Sequence, residues 1–338
     1  MLAAGQSPDA LGDVACRRAV GVVTAIAWFG WSTRTDEMRH CVDAVWDCLQ
    51  RCKPKDLPKF FSAVNLRPML GLRGHGAFRM LPLPPPDALE ARIARALNGA
   101  NGPEATWDWA TVVYPLADSK NQKLYQWYRG ALGRFWQERL DERPVEEVPK
   151  LAAKFEEAWS SFIDQLYGRH ELVLYAQRKW IGRWFEDFDP TLPDVTEDRD
   201  RPWDYDHIHP QYYVSGRHHV PQVIRDWHAS IGNLRAWPYA ANRERQEESP
   251  ADKLSKPSAR EREYGVSSAK DLAESSFVST DGIHWSASVP ANALPGYLGR
   301  REYQSERAAL IKAMTGRFCM LYRHWYETLD IGSWMPKP

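Results

Sequence analysis

The chain has 338 residues, 43% of them apolar and 26% charged, a normal soluble composition with room for two or three subdomains with cores of their own. Lysine plus arginine equals aspartate plus glutamate at 44 each, so global charge offers no argument for a nucleic-acid or membrane partner, and a nucleic-acid site would have to be a local patch. The longest apolar run, residues 19–31, is short of the about 20 residues that span a bilayer. The N-terminus also lacks the basic segment, apolar core and small-residue cleavage site of a secretion signal, so a cytoplasmic protein without a membrane partner is expected. Five cysteines at irregular spacing fit a reducing compartment, and Cys41, Cys48 and Cys52, near one face of an expected helix, are read as buried thiols in preference to metal ligands.

Residues 1–13 are small and polar and are expected to fray. Residues 15–31 are apolar in a pattern that fits helix or strand. Thr35 or Asp36 caps a helix to about Cys52, with Met38, Cys41, Val42, Val45, Trp46 and Leu49 on its buried face. Glycines and prolines make residues 60–86 a connector with a short strand at 78–82, and a helix starting at the 84–86 prolines continues to Asn98. Helices are then predicted at 123–140, 145–167 and 172–188, where Phe155, Trp159, Phe162, Ile163 and Leu166 recur at helical steps. Most of the sixteen tryptophans read as core in such stripes, not as base-stacking platforms. Residues 189–201 are rich in proline and acid and form a natural boundary. Beyond Leu254 come a polar, partly helical segment to about Ser276, a loop through Asp281, Gly282, Pro290 and Pro295, and a helix at 304–329. The inner side of that last helix carries Leu310, Ile311, Met314, Phe318, Leu321, Tyr322 and Trp325.

Two segments stand apart from this helical pattern: RPWDYDHIHP at 201–210 and SIGNLRAWPYAANRERQ at 230–246. Aromatic alternation makes 203–208 a strand that His209 and Pro210 end; 234–237 is a second strand stopped by Pro238, and 239–248 is a polar helix. A unit of two strands and a helix lets the end of the first strand face the middle of the helix, where Asp206, His207 and Asn242 can meet. Phosphodiester hydrolysis needs an activated water, charge neutralisation at the phosphoryl oxygens and a stabilised alkoxide leaving group. A carboxylate and an amide oxygen, Asp206 and Asn242, make an oxygen shell suited to one Mg²⁺ or Mn²⁺ acting as Lewis acid. His207, a neutral imidazole beside that shell, suits the general base.

The run DHIxP, then GNL, then an asparagine nine positions after Asn233 resembles the HNH (ββα-metal) nucleases, in particular the C-terminal nuclease domain of GmrSD-type modification-dependent restriction and anti-phage proteins. The segments LVLYAQRKWIGRWF at 172–185 and SPADKL at 249–254 resemble the flanks of that motif, so the likeness covers roughly the C-terminal half. The resemblance implies that Asp206 and Asn242 hold the metal, that His207 is the general base, that Asn233 is structural, and that DNA is cut to leave a 5′-phosphate. It also implies a nucleotide-using sensor with an Asp-Gly-Gln-Gln-Arg-like signature. The chain has neither that signature nor a glycine-rich phosphate loop, so nucleotide hydrolysis is not carried over and the sensor is expected on a longer protein or a separate subunit.

The expected architecture is therefore mainly α: a helical scaffold at 1–200, a ββα-metal nuclease core at 201–254 and a C-terminal helical segment at 255–338. Arg235, Arg243, Arg245 and Lys253 are candidate DNA-phosphate contacts, with pairing to Glu244, Glu247 and Glu248 on a solvated helix face as the alternative. Trp203 and Trp237 are expected to pack beneath the site. His209 is read as a surface histidine, and His218, His219 and His228 as solvated or loop-stabilising groups. Two rival functions remain. One is a zinc hydrolase or structural zinc site built from His207, His209 and one of His218, His219 or His228. The other is a non-catalytic DNA-sensing or scaffold module in which the motif is present but not assembled.

Overall fold

The computed structural model describes residues 12–31, 79–80, 83–97, 162–163, 165–186, 201–279 and 282–334. The helices predicted at 36–52 and 123–140, with Cys41, Cys48 and Cys52, lie outside the described residues, as does most of that at 145–167. In chain order the described elements are α1 (Gly12–Phe29), β1 (Gly30–Trp31), β2 (Arg79–Met80), α2 (Pro86–Leu97), α3 (His170–Trp184), β3 (Trp203–His207), α4 (Gln222–His228), β4 (Leu234–Pro238), α5 (Tyr239–Glu244), α6 (Pro250–Ser255), α7 (Ala259–Glu263), α8 (Ala269–Ser276), α9 (Ile283–Ser286), α10 (Gln304–Thr328) and α11 (Ile331–Trp334). They are mostly helical, with two small antiparallel sheets, β1 with β2 and β3 with β4. No described helix is long and apolar enough to cross a membrane.

The chain divides into two compact units, one of residues 1–89, 113–166 and 326–338, the other of residues 90–112 and 167–325. In the first unit, the run that fits helix or strand is a helix to Phe29, because Ala15, Ala19, Ala25 and Ala27 favour it, and strand begins only at Gly30. Ala25 and Phe29 are buried, and the Phe29 ring lies 5.5 Å from Phe162.

The segment 201–254 sits inside the second unit. There α10 buries all seven of the expected inner residues, from Leu310 to Trp325. α3 packs on β4: Trp184 meets Trp237 edge-on at 5.1 Å in a cluster with Ala241, Val266 and Leu272. Trp203 and Trp237 are both buried. Gln177 of α3 closes the free edge of β4, its side-chain oxygen accepting from Ala236 N at 2.8 Å and its nitrogen donating to Ala236 O at 3.0 Å. One amide thereby stands in for a third strand at an edge that would otherwise hold unpaired backbone groups.

Helix α5 ends at Glu244, earlier than the predicted 248, because Arg245 leaves helical geometry (φ −123°, ψ 21°) and turns its guanidinium inward. Ser249 then caps α6 by accepting from Asp252 N at 3.2 Å, with Pro250 in its first turn. The polar segment beyond Leu254 contains α7 and α8, each opened by a reciprocal capping box, Ser258 with Glu261 and Ser268 with Asp271. The last carbonyls of α8 are satisfied by buried side chains: Ser275 O accepts from Gln177 and Ser276 O from Arg317.

Candidate functional site

Strands β3 and β4 pair with Asp204 opposite Trp237, Asp206 opposite Arg235 and His207 opposite Leu234. Alternation puts Asp204, Asp206, Arg235 and Trp237 on one face of this hairpin. Pro238 ends β4 and serves as the N-cap of α5, so the helix starts without a linker and runs back along that face. Asn242 lands beside the first strand, where its Nδ2 donates to Asp204 Oδ2 at 3.4 Å. The structure therefore places Asn242 against the same strand as Asp206, with Asp204, two residues earlier, as its direct partner.

Asn233 holds the far end of the hairpin. Its Oδ1 accepts from His209 N at 2.8 Å, and its Nδ2 donates to His209 O at 3.1 Å and to His228 O at 3.0 Å. Ile208 N adds a bond to Asn233 O at 2.9 Å, so the chain leaving β3 is fixed at each residue after His207. The neighbouring Gly232 lies against α10: a Cβ there would come within 2.3 Å of Met314 O, which is why this turn needs glycine.

Asp206 is 5% exposed, and each of its oxygens meets a buried cation: Arg235 Nε donates to Oδ2 and Lys253 Nζ to Oδ1, both at 2.8 Å. Lys253 also donates to His207 O at 2.7 Å. Arg235 continues to Ser276 Oγ at 2.8 Å and stacks over Trp237 at 3.6 Å. Behind it the buried Glu261 accepts from Trp237 Nε1 at 3.1 Å and from Arg245 Nη1 at 2.7 Å. Arg317, also buried, donates to Ile231 O at 2.7 Å and Ser276 O at 3.1 Å, and burial next to Arg235 draws it down to about 9, still charged at neutral pH. Arg235, Arg245, Lys253 and Arg317 thus outnumber Asp206 and Glu261, with Glu248 added only at the more exposed rim. Burial alone would raise the Asp206 carboxyl; Lys253 and Arg235 outweigh it and hold the group below the usual carboxylate range.

Of the four basic side chains read as DNA contacts, Arg235, Arg245 and Lys253 are therefore interior counter-ions, and Arg243 alone is exposed, folded over the Tyr239 ring at 3.9 Å. Two features could have revealed this from sequence. Arg235 falls opposite Asp206 once the hairpin register is drawn, and Ser258-x-x-Glu261 is a capping-box pattern that fixes Glu261 at a helix start. Nothing in the sequence marks Lys253 as buried.

The histidines separate clearly. His207 is half-buried, and its ring stacks on His228 at 4.9 Å with 13° between planes. His209, read as a surface residue, is fully buried, with Nε2 at 3.0 Å from Tyr297 Oη, because Asn233 turns the backbone after β3 inward. His228 is buried as well, with Nε2 at 2.8 Å from His209 O. His219 is exposed and bonds Gly296 O at 3.0 Å; His218 is exposed. His209 Nε2 faces Tyr297 Oη and His228 Nε2 faces His209 O, so these two nitrogens are committed to separate partners. Among the described residues no group of three or more His, Cys, Asp or Glu side chains is arranged to hold a metal ion.

Oxygen donors nevertheless lie along one face: Asp204 and Asp206 alternate onto the side turned to α5, and Asn242 of α5 reaches Asp204, a composition suited to Mg²⁺ or Mn²⁺. Each Asp206 oxygen that accepts from one cation keeps a further acceptor direction, so an ion there would share the carboxylate with Lys253 and Arg235 or displace one of them.

Burial lowers the pKa of His207, His209 and His228, the last to about 3. The unfolded chain therefore takes up protons below pH 6.5 that the folded chain refuses, and stability present above that pH is lost as pH falls toward about 3. His228 contributes a slope of about 1.4 kcal/mol per pH unit in that window, and His207 and His209 add to it in the same direction. The lowered Asp206 acts only below its unfolded value near 3.9, so melting temperature should already fall between pH 6.5 and 4.5, and less steeply in His228→Gln. A flat profile there would contradict the neutral buried histidines.

No protein-family model matches the chain, and neither the curated proteins nor the solved structures return a match.

Proposed function

We propose that β3, β4 and α5 form an HNH-type ββα unit that hydrolyses DNA phosphodiester bonds with one divalent metal ion, as the effector of a restriction or anti-phage system. The observation that carries this reading is the return of α5 onto β3 directly after Pro238, with Asn242 beside the strand that ends in Asp206-His207 and Asn233 holding the turn. Support also comes from charge: the interior under the hairpin carries more buried cations than carboxylates, which favours an anionic substrate although the whole chain is neutral.

In this reading His207, which the alternation of β3 turns to the face opposite Asp206 at the last residue of the strand, takes the proton of the attacking water from around the strand end. Burial keeps its imidazole below the ordinary value and so neutral at pH 7, with the adjacent Asp206 charge opposing that shift only in part. Asp206 and Asn242 would hold Mg²⁺ or Mn²⁺, which supplies Lewis-acid stabilisation of the phosphoryl oxygens and leaving group. Asp204 orients the Asn242 amide, and Asn233 fixes the backbone from which His207 projects. A nucleotide-using sensor, on this polypeptide or another, would decide when the cut is made.

Supercoiled plasmid should be nicked or linearised by the protein in Mg²⁺ or Mn²⁺ and not in EDTA. Asn242→Ala lies outside the buried ion network and should leave melting unchanged while raising the Mn²⁺ concentration needed for cleavage. Cutting that is indifferent to EDTA would remove the metal from this proposal. A second reading, the non-catalytic DNA-binding module, is favoured by the occupation of both Asp206 oxygens; it predicts DNA binding that survives Asn242→Ala and no cleavage by the parent.

A further inference from the structure

A general base is usually aimed by a hydrogen bond to a third group. Among the described residues the His207 ring makes no hydrogen bond, and its ring contact is the stack on His228 at 4.9 Å and 13°. The backbone of His207 is pinned by Lys253 at its carbonyl, but that bond leaves the side-chain torsions unset. The His228 ring is held by its own bond and by burial: Nε2 donates to His209 O at 2.8 Å and the residue is 4% exposed, while Asn233 Nδ2 at its carbonyl (3.0 Å) and the preceding Trp227, packed on Phe318 of α10 at 5.3 Å, anchor its backbone. The ring of His228 is therefore a fixed plane and that of His207 the adaptable one.

We propose that His228 is a positioning residue: its clamped ring holds the His207 imidazole in one orientation, with both nitrogens of His207 left uncommitted for a water and its proton. This rests on the reading of His207 as the base. A plane held against one face restricts rotation as a hydrogen bond would, without consuming a nitrogen, and it covers that face from solvent. The bond from His228 Nε2 to His209 O also fixes which nitrogen of His228 carries the proton. Asn233 links the two parts, since the same Nδ2 bonds the carbonyls of His209 and His228. The turn that shapes the end of β3 and the plane that aims the base thus move together.

The test uses the full chain with His228→Ala and His228→Phe. Two quantities are read: kcat and KM for a DNA duplex in Mn²⁺, and the rate at which diethyl pyrocarbonate acylates His207, followed by mass spectrometry. In His228→Ala, kcat should fall about 10- to 100-fold with KM unchanged, and His207 acylation should accelerate. In His228→Phe, which restores a flat ring without the hydrogen bond, both should return most of the way to the parent. Should the alanine variant melt at assay temperature, the phenylalanine variant carries the test at the parent's temperature. The proposal is overturned by parental kcat and parental acylation in a folded His228→Ala, or by a folded phenylalanine variant no better than alanine. If the parent does not cleave, the functional reading fails, and unchanged His207 acylation in His228→Ala still overturns the proposal separately.

Discussion

Replacing Lys253 with methionine is expected to lower the unfolding free energy by about 3–5 kcal/mol, a large share of what holds an ordinary domain together. Methionine keeps the apolar stem and removes only the ammonium. Asp206, 5% exposed, then loses the partner of Oδ1, and His207 O loses a charged donor. Arg235 alone cannot keep the carboxylate ionised as before, so the Asp206 carboxyl should move up from its lowered value. Urea denaturation reads the effect as a fall in midpoint; a change under about 1 kcal/mol, the size of an exposed pair, would show that this ion pair is not buried as described. The same logic makes Asp206→Asn destabilising, because it strands Arg235 and Lys253 together. Loss of activity in an Asp206 variant would then report folding as much as metal binding.

His207→Ala should behave in the opposite way, with little loss of stability and a fall in cleavage of about 10²- to 10⁴-fold, the usual worth of a positioned general base. The His207 ring is half-buried and makes no hydrogen bond to a described residue, so its removal leaves no buried polar partner unsatisfied and forfeits mainly the stack on His228. That contrast separates chemistry from folding. His207 is the position at which the two can be told apart; Asp206 is not.

The two strands, the helix after Pro238 and the long C-terminal helix were legible because each rests on local signals: alternation in WDYDH, a proline at the strand end, and a helical stripe from Leu310 to Trp325. The helix after Pro238 is shorter than its polar pattern suggests because Arg245 is drawn to Glu261, a contact sixteen residues away that no window along the chain contains. Burial of His209 escaped for a related reason. Histidine at a strand end reads as surface until Asn233, twenty-four residues later, ties its backbone inward. The basic residues were the hardest to place: Lys253 sits in a polar stretch, and only the fold brings it to Asp206, forty-seven residues earlier. Within the candidate site, the pairing of Asn242 with Asp204 shows that the sequence located the elements correctly but not the hydrogen-bond partners.

A His207 that serves as the general base of phosphodiester hydrolysis is needed for cutting and not for folding. The most direct measurement compares relaxation of supercoiled plasmid by the parent and by His207→Ala in Mn²⁺ at pH 7.5, with both proteins shown to melt at the same temperature. Metal-dependent nicking or cutting by the parent and loss of at least about 10²-fold in the variant are expected. Equal cleavage by the two would contradict that role of His207, as would a parent that leaves the plasmid intact.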